Sequence, residues 1–186
     1  MVRAALLLLV LNLACPAEAA EVLVRASRDG DVLRVEASAE FESGLEHAWQ
    51  VLTDYDHLAG FIPGMRESRV IERGAHGPIV EQKGEVRLLF LSYAIEVRLA
   101  IEEYPCRRIV SRAVAGSFRH MSGAYLIEAV HGRVRLRYAG TLVPNFYVPP
   151  LIGTLVLRLS IERQFGALVD EILRRHGDRA PARPET

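Results

Sequence analysis

Alternation of apolar and polar residues dominates the middle of the chain. From Arg66 to Val143, short alternating segments follow one another, with glycine and proline between them. The most regular segment is 93–102, where every second residue is aliphatic or aromatic and the others are small or charged. A period of two places one face of a strand on a core and the other in water. The pattern predicts an antiparallel meander of strands joined by hairpins.

The segments on either side of this region predict further strands and three helices. Residues 22–41 alternate in the same way around an Asp-Gly-Asp turn, which predicts two short strands or one bent strand. Ser43 opens a capping box and begins a first short helix. A second short helix is expected at 54–61, ended by Pro63-Gly64. One long helix is predicted at about 149–175, with prolines in its first turn.

The order of these elements defines the class of fold. Strands, two short helices, several antiparallel strands and one long helix make an α+β fold. Because the long helix follows the sheet and is the only long one predicted, it should lie across the apolar face of that sheet. We therefore expect a curved antiparallel sheet that grips a C-terminal helix, with two short helices after the first strand or strands.

Three motifs follow one another along roughly residues 35–175. They are Ala48–Tyr55 followed by Phe61-Ile62-Pro63, Gly116-Ser117-Phe118 followed by Gly123, and the terminal amphipathic helix. In this order they resemble the START-like, or SRPBCC, superfamily, which has the helix-grip fold. Within it, the chain is similar to the polyketide cyclase/dehydrase branch, which includes the coenzyme Q-binding proteins and the ribosome-association toxin family.

The resemblance implies a ligand-binding function for the fold. It implies a deep apolar cavity between the sheet and the long helix, which holds a lipid, a quinone or a polyketide-like molecule. It implies binding more than catalysis, because most such domains bind and few react. We expect no cofactor and no catalytic residue.

The first 19 residues have the layout of a secretory signal peptide. Arg3 precedes an apolar run, and Ala17-Glu18-Ala19 fits a small-x-small cleavage site. The run is shorter than the ~20 residues of a spanning helix. Lipidation of Cys15 is the less favoured alternative, because Asn12 stands where such a site has an aliphatic residue. We therefore expect an exported, periplasmic protein with a signal peptide at 1–19, a START-like domain at 20–175 and a disordered tail at 176–186.

Composition argues against several kinds of partner. The chain has 186 residues with 23 basic and 23 acidic side chains, so no net charge draws it to nucleic acid. Arg133, Arg135 and Arg137 form a stripe on the wet face of one strand, where we expect cross-strand salt bridges to glutamates such as Glu96. The six histidines are scattered, which argues against a metal site. Cys106 is expected to be a small core residue.

Four consecutive residues carry groups that could act as acids or bases: Asp54, Tyr55, Asp56 and His57. On a helix they point about 100° apart and do not all converge on one substrate, although Asp54 and His57 can meet at i and i+3. We expect the two aspartates to stabilise the start of the helix, where negative charge is favourable, and Tyr55 to face the core. The segment 61–64 that follows is expected to form a rigid lid at the mouth of the cavity.

The long helix carries two polar residues on its predicted apolar side. From Ile161 onward the apolar residues share one face, and Arg158 and Glu162 fall along the middle of that face. Two interpretations stay open. The residues pair inside the cavity and meet a ligand carbonyl, hydroxyl or headgroup, or they reach out at the cavity mouth. The first half of the helix is apolar nearly all round, so either a loop covers its outer side or that surface meets a membrane or a partner.

Candidate ligand-binding residues come from the covered strand faces, the lid and the long helix. Tyrosines among aliphatic residues would give such a pocket a few polar groups. On the strand after Gly116, alternation separates His120 and Ser122 from Tyr125 without deciding which side faces inward. The predicted ligand-binding residues are Phe61, Ile62, Tyr93, Ile95, Val97, Leu136, Tyr138, Leu155, Arg158, Glu162 and Phe165.

Three functions compete at this point. The favoured one is an exported binding or carrier protein for a hydrophobic small molecule, with peripheral membrane contact as a further expectation. A cyclase or dehydratase would need an acid or a base in the cavity, for which Glu162, His120 and His57 are the candidates. A protein-interaction module would use the apolar surface near 147–159. The sequence names neither the ligand nor the oligomeric state.

Overall fold

The computed structural model describes residues 20–74, 77–88 and 91–178. The predicted signal peptide, Cys15 and most of the predicted tail lie outside these residues. The strands are β1 (Val22–Asp29), β2 (Val32–Phe41), β3 (Met65–Gly74), β4 (Gly77–Leu88), β5 (Leu91–Tyr104), β6 (Arg108–Gly116), β7 (Phe118–Val130) and β8 (Arg133–Pro144). The helices are α1 (Leu45–Leu52), a 3₁₀ helix (Tyr55–Gly60) and α2 (Pro150–Gly177).

The eight strands form one antiparallel sheet in the order β1-β2-β8-β7-β6-β5-β4-β3. Consecutive strands pair as hairpins except between β2 and β3, which lie far apart in the sheet and are connected through α1 and the 3₁₀ helix. The meander predicted from alternation is confirmed, and so is the long helix on the curved sheet predicted from the element order. The segment 22–41 is two strands, because Asp29 pairs with Val32 across a tight turn at Gly30, whose φ is 57°.

The core lies between the inner face of the sheet and α2. Along β5, Val97, Leu99 and Ile101 are buried while the residues between them are more exposed, as the alternation predicted. Helix α2 contacts β1, β2, β4 and α1. At the α1 contact, a ring nitrogen of the buried His47 lies 3.0 Å from the carbonyl oxygen of Ile172. The long helix therefore closes the open side of the curved sheet.

Two local predictions were wrong. The hydroxyl of Ser43 contacts the carbonyl of Gly44 at 3.3 Å and caps no helix donor. Gly44 is itself the N-cap, because its extended backbone turns the chain into α1. Cys106 is a half-buried turn residue with φ 54° between β5 and β6, since the tight turn there lifts it away from the core.

The arginine stripe has other partners than predicted. Arg135 pairs with Glu40 on β2 at 2.6 Å, and Arg137 pairs with Glu128 on β7. Glu96 and Glu102 lie on β5, which is separated from β8 by two strands. The partners are set by strand order, which alternation does not reveal. The stripe is occupied by surface ion pairs on the outer face of the sheet.

Helix length bears on membrane insertion. Within the described ranges, no helix is both long and apolar enough to cross a membrane.

Candidate functional site

A cavity with two chambers lies between the inner face of the sheet and α2. The outer chamber has a volume of about 210 Å³ and lies where the start of α2 crosses β4, β5 and β8. Most of its lining residues are apolar, and Lys83 and Glu85 of β4 also border it. Its apolar lining includes Ile95, Val97, Phe118, Phe146, Val156 and Leu157.

The inner chamber has a volume of about 190 Å³ and lies deeper, under the 3₁₀ helix. Its wall includes fully buried aliphatic residues from β4 and β5 and several polar but uncharged groups. The residues that matter most for its chemistry are Tyr55, Ile62, Ser111, Tyr125, Tyr138 and Phe165.

Five residues line both chambers and form the neck between them. They come from β3, β4, β7 and α2, and they are Met65, Gln82, Met121, Ile161 and Gln164. Because the same side chains border both spaces, the two chambers lie next to each other along the sheet, with these five residues between them. Their combined size reaches the lower part of the range of roughly 300–1,000 Å³ that is typical of small-molecule pockets.

Two tyrosines lie side by side on the wall of the inner chamber. Tyr125 on β7 pairs directly with Tyr138 on β8, and their ring centroids are 4.8 Å apart. Tyr138 lies over Gly123 and Gly140, which also face each other across these strands. A Cβ atom on either glycine would stand 2.6 or 2.5 Å from the Tyr138 hydroxyl oxygen. The glycine pair therefore provides the depression that accepts the Tyr138 ring.

Both phenols are uncharged donors. Burial raises the pKa of Tyr138 to about 12. Burial, with a smaller contribution from Tyr138, raises the pKa of Tyr125 as well. In the described part of the chain neither hydroxyl makes a hydrogen bond, and neither is among the fully enclosed polar atoms without a partner, so both oxygens border free space. Tyr55 differs, because its hydroxyl donates to Glu103 Oε1 at 2.9 Å.

The segment 61–64 closes one side of the cavity, as expected of a lid. Ile62 lines the inner chamber, and Gly64 lines the outer one. The Gly64 carbonyl accepts a hydrogen bond from the Glu85 amide at 2.9 Å, and the Gln164 side chain donates to the Pro63 carbonyl at 3.2 Å. The lid is thus tied to β4 on one side and to α2 on the other.

The polar residues before the lid form a latch. Arg175 near the end of α2 contacts Asp54 Oδ2 at 2.8 Å and Glu171 Oε1 at 2.6 Å, and its guanidinium lies 5.7 Å from the centre of the Phe61 ring. Asp54 also pairs with His57 at 2.6 Å, which confirms the predicted i,i+3 contact. Partial burial opposes ionisation of Asp54, but the hydrogen bonds from Arg175 and His57 outweigh it and lower its pKa.

The structure places most predicted ligand-binding residues at or beside the cavity. Ile95 and Val97 line the outer chamber, and Ile62, Tyr138 and Phe165 line the inner one. Three others lie just behind these walls. Leu136 is fully buried in the core, Phe61 packs under Arg175, and Tyr93 stacks on Phe146 with 4.9 Å between ring centroids.

Three of the predicted ligand-binding residues do not face the cavity: Leu155, Arg158 and Glu162. The prediction that they line it was wrong. Leu155 is 48% exposed, and Arg158 and Glu162 lie 4.0 Å apart on the outer surface with nearly half of each side chain exposed. The second half of α2 has a wide buried face because it packs against both the sheet and α1. The first half faces the cavity through a different set of positions, among them Gly153, Val156, Leu157 and Ser160.

Sequence reasoning missed the two glutamines and two methionines of the neck. For Gln82 a signal existed, because its neighbours Glu81 and Lys83 are charged and mark the outer face of β4, which leaves Gln82 inward. The inward side of β7 stayed open in the sequence. The structure shows that it carries Met121 and Tyr125, because β7 pairs with β8 in the register that places Tyr125 beside Tyr138.

The three candidate acid or base residues lie outside the cavity. His57 has 74% of its side chain exposed, Glu162 has 46%, and His120 is exposed on the outer face of β7 near Ser122. None of them reaches either chamber in the described residues. Among the same residues, no group of three or more histidine, cysteine, aspartate or glutamate side chains is arranged to hold a metal ion.

The curved antiparallel sheet, the long C-terminal helix and the cavity between them define a START-like domain with the helix-grip fold. The chain belongs to the polyketide cyclase / dehydrase and lipid transport family, whose model matches residues 27–180. The superfamily and the branch expected from the sequence motifs are therefore confirmed. A search of curated proteins gave no match.

Similar solved structures share the fold at low sequence identity. An aromatase/cyclase, Zhui, from Streptomyces sp. R1128 is 18% identical with a TM-score of 0.63, over 83% of this chain and 99% of that one. A START superfamily protein from Mycobacterium smegmatis is 15% identical with a TM-score of 0.65, over 76% and 98%. A STAR-related lipid transfer protein fragment from Xanthomonas axonopodis is 12% identical with a TM-score of 0.64, over 84% and 95%.

Proposed function

We propose that this protein binds a hydrophobic small molecule, such as a lipid, a quinone or a polyketide-like compound, and acts as its carrier or binding protein. The observation that carries the proposal is the elongated cavity, whose walls are mostly apolar and whose two chambers meet at one neck. Burial of apolar ligand surface in such a space drives binding. The lid tied between β4 and α2 supports a bound state shielded from water.

Export is part of this proposal. The apolar run after Arg3 and the small residues at Ala17 and Ala19 support cleavage near Ala19 and a periplasmic location. A carrier there would move apolar molecules through water between membrane surfaces. Cell fractionation of the native host, followed by mass measurement of the intact chain, tests both points. A chain that keeps residues 1–19 or stays in the cytoplasm contradicts export.

Native mass spectrometry of protein purified from its own host tests the binding function. We expect a copurifying apolar ligand, and we expect Ser160→Trp, which fills the outer chamber, to lower its occupancy at least tenfold. Arg163→Trp is the matched control, because Arg163 is exposed on the same helix and lines neither chamber, so the change should leave occupancy unchanged. Wild-type protein that carries no ligand and takes up none in titration would overturn the proposal.

A cyclase or dehydratase acting in the same cavity is the alternative within this family. Tyr125 and Tyr138 favour it to the extent that their hydroxyls border the inner chamber. The two functions differ in the fate of the ligand. Recovery of the copurified molecule with unchanged mass after prolonged incubation supports a carrier, and its conversion supports an enzyme.

An exposed apolar surface favours a contact during loading or release. Tyr147, Leu155 and Leu159 are 71%, 48% and 41% exposed, beside the outer chamber and around the start of α2. The outer side of this half-helix is therefore uncovered. We propose that this surface touches a membrane, as the aromatic and aliphatic side chains would enter the headgroup region. We expect the wild type to float with lipid vesicles and the double variant Tyr147→Ser/Leu155→Ser to lose this flotation. Equal flotation of the wild type and the variant would contradict the membrane contact. If neither protein floats, the exposed surface is better explained by a protein partner.

A further inference from the structure

The inner chamber is built for an uncharged end of a ligand. None of the described residues that line it is Asp, Glu, Lys, Arg or His. Among the described residues, the charged ones that border the outer chamber are Lys83 and Glu85 of β4. Lys83 is already paired with Glu67 at 3.2 Å and Glu81 at 3.5 Å. A carboxylate or phosphate in the inner chamber would lose its hydration and meet no countercharge, which is costly.

The same chamber offers two hydrogen-bond donors to a ligand. The rings of Tyr125 and Tyr138 are in contact, Tyr125 stacks at 6.5 Å on Phe165, and the glycine pair under Tyr138 fixes the depth of that ring. Their hydroxyls border free space and have no partner among the described residues. A carbonyl oxygen has two lone pairs and can accept from both phenols. A buried hydrogen-bond donor without an acceptor raises the free energy of the protein, so a ligand that accepts from it binds more tightly.

We propose that Tyr125 and Tyr138 are specificity-determining residues that select ligands with an uncharged oxygen acceptor, such as a ketone, ester or quinone carbonyl, and hold that end in the inner chamber. The apolar tail of the ligand passes the neck and occupies the outer chamber. Lipids whose only polar end is anionic do not place that end inside. This inference rests on the proposed binding function and adds the chemical class and the orientation of the ligand.

Three probes of matched chain length test the selection: dodecan-2-one, dodecane and dodecanoate at pH 8. Each is titrated against purified full-length protein loaded with the uncharged fluorophore N-phenyl-1-naphthylamine, and its displacement is measured. We expect the ketone to bind about tenfold tighter than either other probe, since one hydrogen bond to a buried donor accounts for a factor of this size. The double variant Tyr125→Phe/Tyr138→Phe should lose this preference while its affinity for dodecane stays the same.

Tyr55→Phe is the matched control for a lost phenol. Tyr55 also lines the inner chamber, but its hydroxyl is engaged by Glu103, so its removal should leave the ketone preference intact. Equal affinity of the wild type for the three probes overturns the inference and leaves the binding function standing. A ketone preference that persists in the double variant, or dodecanoate bound as tightly as the ketone, also overturns it. Failure of all three probes to displace the fluorophore overturns the binding function itself.

Discussion

At the scale of single residues, the glycine pair decides the shape of the cavity wall. Gly123 and Gly140 face each other on β7 and β8, and the ring of Tyr138 occupies the space that two side chains would fill. Glycine in a strand interior often marks such a close approach. The sequence motif around Gly123 therefore has a packing role at the cavity wall, which its position in a family pattern alone did not explain.

Gly123→Ala is expected to lower the free energy of unfolding by about 1–3 kcal/mol, because the new methyl group overlaps Tyr138 and forces it into the chamber. In a Tyr138→Ala background the cost should vanish, since no ring remains to displace. Urea unfolding of the four proteins of this cycle measures both effects. Gly166→Ala is the control: nothing lies within 4 Å of a Cβ there, and alanine is favoured over glycine in a helix. Equal costs in both backgrounds would contradict the overlap.

At the scale of elements, Arg175 connects the end of α2 to the 3₁₀ helix and the lid. Its guanidinium bonds Asp54 across a sequence separation of 121 residues and packs over Phe61. Gln164 makes the second link from α2, to Pro63. The acidic start of this segment is therefore part of the contacts that hold the lid. We expect Phe61 and Ile62 to govern ligand entry more than His57 does, and the contact with Arg175 makes Asp54 part of the same lid assembly.

Arg175→Met is expected to loosen the lid. The loss of a charged hydrogen bond that is about three-quarters buried should cost about 1–2 kcal/mol and speed amide exchange across residues 55–64 and the release of a bound fluorophore. Arg174→Met is the matched control, because Arg174 pairs only with Glu171 and Asp178 on or just after its own helix in the described residues. Its cost should stay within a few tenths of a kcal/mol. Identical exchange rates in the two variants would show that Arg175 is no latch.

At the scale of the whole molecule, the sequence predicted the element order but not the path of the cavity. Period-two alternation and helical spacing are local, so the strands and α2 could be predicted within a few residues. Strand register and the rotation of α2 depend on packing between distant segments. For that reason the sequence left open which face of β7 carries Tyr125, and whether Arg158 and Glu162 enter the cavity or lie outside it.

The neck between the chambers contains two residues that can be oxidised. The chain contains three methionines, and the two besides Met1, namely Met65 and Met121, both lie at the neck. Their thioethers are flexible and adapt to ligands of different width. They are also the groups that peroxide converts to polar, reversible sulfoxides. Oxidation of these two methionines would therefore change the polarity between the chambers, and methionine sulfoxide reductases would restore it.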